Sequence, residues 1–200
     1  LLFLFFGFLL MAVMRYQLAY PETVIPYIGN LFFSESGGVM LPENYNSLGA
    51  MHGTIMIFLG VVPLAVGAFG NYLVPLQIGA PDMAFPKLNA ASYWTYFVGG
   101  VIMISSFFTP EGTARSGWTS YPPLSIFESG QTMWLLSMIF LITSSLLGSM
   151  NIIVTIVQLR APGLTWLKMP FFIWTQLVTS FLLVLAFPPL ESAAILQLMD

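Results

Sequence analysis

The chain has 200 residues, of which 58% are hydrophobic and 6% are charged, and its formal net charge is −3. Soluble domains carry about a quarter charged residues, so this composition excludes a soluble globular protein and predicts an all-α, polytopic membrane helix bundle in a lipid bilayer. The absence of cysteine excludes disulfides and thiolate metal sites. The sequence also has no glycine-rich phosphate loop, no nucleophile elbow and no basic stripe, which excludes the enzyme classes that use them and nucleic-acid binding.

Five apolar segments approach the ~20 residues that a helix needs to cross the hydrocarbon layer. Proline and glycine clusters between them indicate loops. The chain starts within an apolar run without methionine and ends soon after another, so we expect an excerpt of a longer protein. The predicted spans are 1–19, 48–70, 90–109, 130–159 and 170–190, which leaves Glu191 just outside the fifth span on the outer side.

Arg15 lies at the outer end of the first span. The simplest interpretation is an interfacial anchor, whose long apolar stem lets the charged group reach water. If a cofactor with polar substituents lies beside this span, the fixed fork of guanidinium donors is also a suitable partner for it.

The second span contains the only histidine of the chain, His52, in the run AMHGTIMIFLG. An ionisable side chain in a membrane span is costly and indicates a candidate site. One interpretation is a neutral imidazole that donates a hydrogen bond to a neighbouring helix. The other is axial ligation of a haem iron through a neutral ring nitrogen. The pattern leaves both open, and one histidine supplies only one axial bond.

The segment after the second span reads NYLVPLQIGAPDMAFPKLN and presents Asn71, Asp82 and Asn89 in one inner loop. Each residue suits a turn or a helix cap. The five basic residues divide three to two across the membrane, which favours this side as the cytoplasmic one. Asp82 is then the single acid on this side, and a carboxylate at a membrane entrance, with amides to order water, can collect protons.

Trp118 lies in the run SGWTSYPPL after the third span. It is either part of an interfacial aromatic belt or a cover over a cofactor bound near His52.

The fourth span carries small and polar residues along one helical face. Close helix packing is the usual reason for such a stripe. A hydrated path that rises from Asp82 is the functional alternative, because amide and hydroxyl groups lie near the inner end of the span. Gln176 and Ser180 on the fifth span fit both interpretations. The stripe consists of Ser137, Ser144, Gly148, Asn151, Thr155 and Gln158.

The runs MHGTIMIF, GNYLVPLQIGAPDMAFPKLNAASYW, SGWTSYPPL and SSLLGSMN closely resemble, in this order and spacing, the amino-terminal part of subunit I of the A-type haem–copper terminal oxidases. The resemblance covers the chain from about Arg15 into the fifth span. It implies a twelve-helix subunit with a low-spin haem, of the haem A type, and a high-spin haem paired with copper. There, electrons from cytochrome c reduce oxygen to water and protons are pumped.

The resemblance also implies oxidase subunits II and III as partners and a bacterial or mitochondrial inner membrane as the location. It assigns His52 as an axial ligand of the low-spin haem iron. It further implies that Tyr45 lies close to this haem, Arg15 near its formyl group and Trp118 near the propionates.

For the proton pathway, the resemblance assigns Asp82 as the entrance acid. It implies that three asparagines order the water of the pathway and that two serines lie higher along it. These residues are Asn71, Asn89, Asn151, Ser144 and Ser145.

In this family the second ligand of the low-spin haem, the ligand of the oxygen site and the copper-ligating histidines belong to later helices. We therefore expect no catalytic residue of the oxygen-reducing centre within these 200 residues. Three alternatives stay open: a quinol-oxidising member, since VPLQIGA also suits that branch; a non-enzymatic transporter segment with Asp82 as its proton site; and a truncated gene product without activity.

Overall fold

The computed structural model describes residues 1–109, 112–126 and 130–200. Within these residues the chain is all-α, with short 3₁₀ turns and no strand, which confirms the predicted fold class. Five helices of the described chain are long and apolar enough to cross a membrane. They are α1 (Leu2–Ala19), α2 (Pro42–Ile78), α3 (Pro86–Phe108), α4 (Gln131–Gln158) and α5 (Phe171–Met199).

Helix α2 is considerably longer than the predicted span 48–70. It begins at Pro42. Proline has no backbone N–H, and this costs no hydrogen bond here, because N–H groups in the first turn of a helix have no acceptor within the helix. It ends at Gly79, which takes the left-handed conformation with φ of 73°. Asn71 therefore lies within α2 and Asn89 in the first turn of α3, so the prediction of one loop holding both asparagines with Asp82 is wrong.

The backbone of α2 widens after its first four turns. Over Ile55–Val61 and Pro63–Ala68 it follows the π-helical pattern, in which hydrogen bonds join residues five apart. Such segments are rare in proteins overall, and those that do occur are frequently found at functional sites. The widened part begins three residues after His52, the strongest candidate site residue of the sequence.

The chain forms two compact units, of which the first comprises Leu1–Val61 and Ser105–Trp134. In this unit α1 packs antiparallel along the first half of α2, and glycines lie where the two backbones approach. A Cβ added at Gly7 would lie 2.9 Å from the Sδ of Met56, and one added at Gly60 would lie 2.6 Å from Leu4 Cδ1. Small residues at helix crossings allow this close packing within a membrane.

The second unit comprises Val62–Ile104 and Leu135–Asp200. Its core joins the end of α2, the inner half of α4 and the start of α5, together with the connection between α2 and α3. Eight buried side chains form this core: Val74, Ile78, Met83, Ile152, Ile156, Met169, Ile173 and Leu177.

Candidate functional site

His52 is half-buried on α2, and its Nδ1 lies 2.8 Å from the carbonyl oxygen of Gly7 on α1. Because a carbonyl oxygen only accepts hydrogen bonds, Nδ1 carries the proton, and a neutral imidazole in this arrangement keeps its lone pair on Nε2. Histidines that ligate metals typically donate their other N–H in this way. The two interpretations of His52 are therefore compatible, since the helix contact uses Nδ1 and leaves Nε2 for a metal.

Gly7 is a site residue that sequence reasoning missed, although a glycine within the bulky run LLFLFFGFLL was a usable signal. Its lack of a side chain lets the α1 backbone come close to α2, because an added Cβ would meet Met56 and, at 3.1 Å, Ile55. Gly53 follows His52 in α2, and a Cβ added there would have no contact within 4 Å from described residues outside its own stretch of helix. His52 is thus held from the side of α1.

Tyr45 lies two turns before His52 in α2. Seven residues rotate a helix by close to two full turns, so both half-buried side chains are on the same face, about 10 Å apart along the axis. Arg15 is exposed on α1, and its position is about 12 Å along that helix from Gly7. The structure therefore places Tyr45 on the face of His52 and Arg15 farther along the same helix pair.

Trp118 belongs to the segment 112–126, which packs against α2. Its ring centroid lies 6.4 Å from that of Phe58, and a Cβ added at Gly117 would lie 3.9 Å from Ala50 Cβ. These two contacts flank His52 along α2. The indole remains 49% exposed, so it is available to a further partner.

Asp82 lies in the connection between α2 and α3. Its Oδ1 accepts a hydrogen bond of 2.7 Å from the backbone N–H of Met83, and the rest of the side chain is exposed. In contrast to Asn71 and Asn89, which are half-buried, Asp82 is in contact with solvent.

Asn151 is fully buried on α4 and holds this connection in place. Its Oδ1 accepts from the N–H of Phe85 at 2.9 Å, and its Nδ2 donates to the carbonyl of Phe85 at 3.2 Å. Thr155 Oγ1 accepts from the N–H of Ala84 at 2.9 Å and donates to the Asn151 carbonyl at 2.6 Å. The two side chains thus fix the backbone that follows Asp82, a positioning role that the sequence did not reveal.

The middle of the polar face of α4 packs against α3. Ser137 donates to the carbonyl of Gly99 at 2.7 Å, and Ser144 donates to the carbonyl of Ser92 at 2.6 Å. Ser145, the next residue, is half-buried. The single hydroxyl proton of Ser144 is therefore used in helix packing, and its oxygen keeps acceptor capacity for water.

Within the described part of the chain, several buried polar atoms of the second unit have no hydrogen-bond partner. Asn71 donates from Nδ2 to Gly67 at 2.6 Å, and Gln176 donates from Nε2 to Ala65 at 3.2 Å, but the amide oxygens of both are unpaired. Buried polar atoms of this kind commonly bind ordered water. The set in the second unit is Asn71 Oδ1, Ser149 Oγ, Arg160 Nη1, Gln176 Oε1 and Ser180 Oγ.

The chain matches, over residues 1–200, the family described as cytochrome c and quinol oxidase polypeptide I. It is 50% identical over 161 residues to cytochrome c oxidase subunit 1 of Thermostichus vulcanus, covering 80% of the chain and 29% of the relative. It is 44% identical to the same subunit of Synechocystis, over 100% of the chain and 33% of the relative. A probable subunit 1-beta of Nocardia farcinica is 45% identical over 96% of the chain and 31% of its own length. The chain thus spans about a third of these relatives.

We predict that Gly7→Ala destabilises the protein by about 1–3 kcal/mol, because the added methyl group overpacks the contact with Met56. The thermal unfolding midpoint of the full-length protein in detergent measures this effect. Gly148→Ala is the matched control, since a Cβ there has open space among the described residues. Equal midpoints for the two variants would contradict the tight packing at Gly7.

We predict that Asn151→Ala loosens the connection that contains Asp82, because the N–H of Phe85 loses its buried acceptor. A buried donor without a partner costs about 1–3 kcal/mol, which corresponds to about 5-fold to 160-fold in local opening. Limited trypsin digestion after Lys87 is expected to accelerate about tenfold. Asn89→Ala, at a half-buried residue of the same region, should leave the cleavage rate unchanged.

Proposed function

The chain belongs to the cytochrome c and quinol oxidase polypeptide I family, and we propose that it forms the amino-terminal part of the catalytic subunit of a respiratory terminal oxidase. In this function electrons from cytochrome c pass through a low-spin haem to a haem–copper centre, where oxygen is reduced to water and protons are translocated. The observation that best supports the proposal is the hydrogen bond between His52 and Gly7, because it leaves Nε2 available to iron.

His52 would bind the iron of a low-spin haem through Nε2, and the haem would supply the electron-transfer chemistry. The Gly7 carbonyl fixes the orientation of the imidazole and raises its basicity as a ligand. Tyr45 shares the face of His52, the guanidinium of Arg15 suits polar substituents of the macrocycle, and Trp118 suits a place near the propionates. The haem A type rests on the resemblance of the sequence motifs.

Asp82 would collect protons at the cytoplasmic entrance. Its exposed carboxylate is presented by a backbone that Asn151 and Thr155 hold in place. Asn71 contributes a buried amide oxygen that can bind water. Ser144, with Asn89, Asn151 and Ser145, would continue the hydrated path.

As partners we propose oxidase subunits II and III within a multi-subunit complex of the bacterial or mitochondrial inner membrane. Cytochrome c is the proposed donor, and a quinol is the alternative, because the VPLQIGA run at the end of α2 also suits the quinol-oxidising branch. A dinuclear copper domain in the partner subunit would indicate cytochrome c. A transporter without haem would lack a visible haem spectrum.

We predict that His52→Ala in the full-length enzyme abolishes the low-spin haem signal in the visible absorption spectrum, because no imidazole remains to bind the iron. Asp82→Asn serves as the control and should keep that signal. A normal low-spin spectrum in His52→Ala would exclude ligation by this residue.

We predict that Asp82→Asn lowers turnover about tenfold or more, because an amide cannot take up and release protons. Oxygen consumption of the purified full-length enzyme measures the effect. Glu22→Gln makes the same chemical change at an exposed acid between α1 and α2, and it should leave turnover unaltered. Wild-type turnover in Asp82→Asn is incompatible with the proposed entrance role.

A further inference from the structure

Helix α5 contains a carboxyl group that the sequence analysis placed outside the membrane span. The helix continues to Met199 rather than ending near residue 190, so Glu191 lies inside it, about 12 Å before its end. A carboxyl group within a membrane-spanning helix is costly and indicates a functional site by default. Glu191 is half-buried and has a specific partner on α4.

That partner is Thr143, whose Oγ1 lies 2.5 Å from Glu191 Oε1. Thr143 is close to the midpoint of α4, roughly 18 Å along the helix from Gln131 and roughly 22 Å from Gln158. The hydrocarbon layer is about 30 Å thick, so this contact is at membrane depth and not at the interface.

The number of hydrogen-bonding protons limits the protonation state of the Thr143–Glu191 pair. Thr143 Oγ1 also lies 2.8 Å from the carbonyl oxygen of Ile139, so three oxygen atoms share two short contacts. Each contact needs one proton, and a hydroxyl has only one. If Thr143 donates to Ile139, the second proton must come from Glu191, which is then the neutral acid.

The charges of the second unit agree with a neutral acid. Its basic residues are at the opposite ends of the helices: Lys87 starts α3, Arg160 follows α4 and Lys168 precedes α5. Arg160 packs on the ring of Trp166, 3.6 Å from its centroid. The other acidic residues of the unit are Asp82, in the connection between α2 and α3, and Asp200, at the end of α5. Since the basic residues are at the other helix ends, a proton is the cation within this unit that can neutralise Glu191.

The backbone around Glu191 offers further polar atoms. Pro188 and Pro189 carry no N–H, so they cannot donate to the carbonyls of Val184 and Leu185 in the preceding turn. Val184 is seven residues before Glu191 and therefore lies on the same face of α5. A freed carbonyl beside the carboxyl group is a suitable acceptor for a water molecule that delivers or removes a proton.

We propose that Glu191 is an intramembrane proton-binding site. In the protonated state its carboxyl donates to Thr143, and the hydroxyl of Thr143 donates to Ile139. When the proton leaves to a water molecule, the hydroxyl of Thr143 turns to donate to the carboxylate instead. The site is separate from the Asp82 path, since Thr143 is rotated about 100° on α4 from Ser144, which faces α3.

Infrared absorption of the full-length oxidase at neutral pH tests the protonation directly. The wild-type spectrum minus that of Glu191→Gln should show the loss of one carbonyl band of a protonated carboxylic acid. Wild type minus Glu22→Gln, at an exposed acid, should show the loss of carboxylate bands. Loss of carboxylate bands in Glu191→Gln would overturn the proposal.

Variants of Thr143 provide an independent test of the protonation of Glu191. This test remains possible if the Glu191→Gln oxidase does not assemble. Thr143→Val should shift the acid carbonyl band to higher frequency, because the hydrogen bond from the carboxyl group is lost, whereas Thr143→Ser should leave it in place. A shift confined to carboxylate bands contradicts the proposal. The haem spectrum of each variant reports separately on the proposed oxidase function.

Discussion

The first unit depends on the close contact between α1 and α2 at Gly7. A carbonyl oxygen has two lone pairs, so the Gly7 carbonyl can take part in the α1 helix and still accept from His52. The approach requires glycine, because a methyl group would collide with Met56. One missing side chain on α1 therefore determines which nitrogen of the His52 imidazole is used in the contact between the two helices.

In the second unit, buried side chains of α4 replace the hydrogen bonds that a backbone connection lacks. Asn151 pairs with both polar groups of Phe85, and Thr155 accepts from Ala84. The connection is short and well anchored, so the exposed carboxylate of Asp82 keeps a defined position at the helix ends. The same residues that suggested a hydrated path in the sequence thus have a structural role as well.

Hydropathy predicted all five long helices because crossing a membrane demands length and apolar composition. It failed at helix ends, since Asn71 and Glu191 lower the local hydropathy although both lie within helices. The sequence indicated His52 and Asp82 as site residues from their isolation. It could not indicate the His52–Gly7 and Thr143–Glu191 contacts, because these join residues 45 and 48 positions apart.

The contact between α1 and α2 has a consequence for the order of assembly. The two helices are consecutive in the chain, and they supply both the hydrogen bond to His52 and the close packing at Gly7. The imidazole can therefore adopt the tautomer protonated at Nδ1 as soon as this hairpin has entered the bilayer, ahead of every later segment. If His52 binds haem iron as we propose, an incoming haem would meet an imidazole whose orientational entropy has already been lost, and its insertion would not need to wait for the remaining helices to position His52.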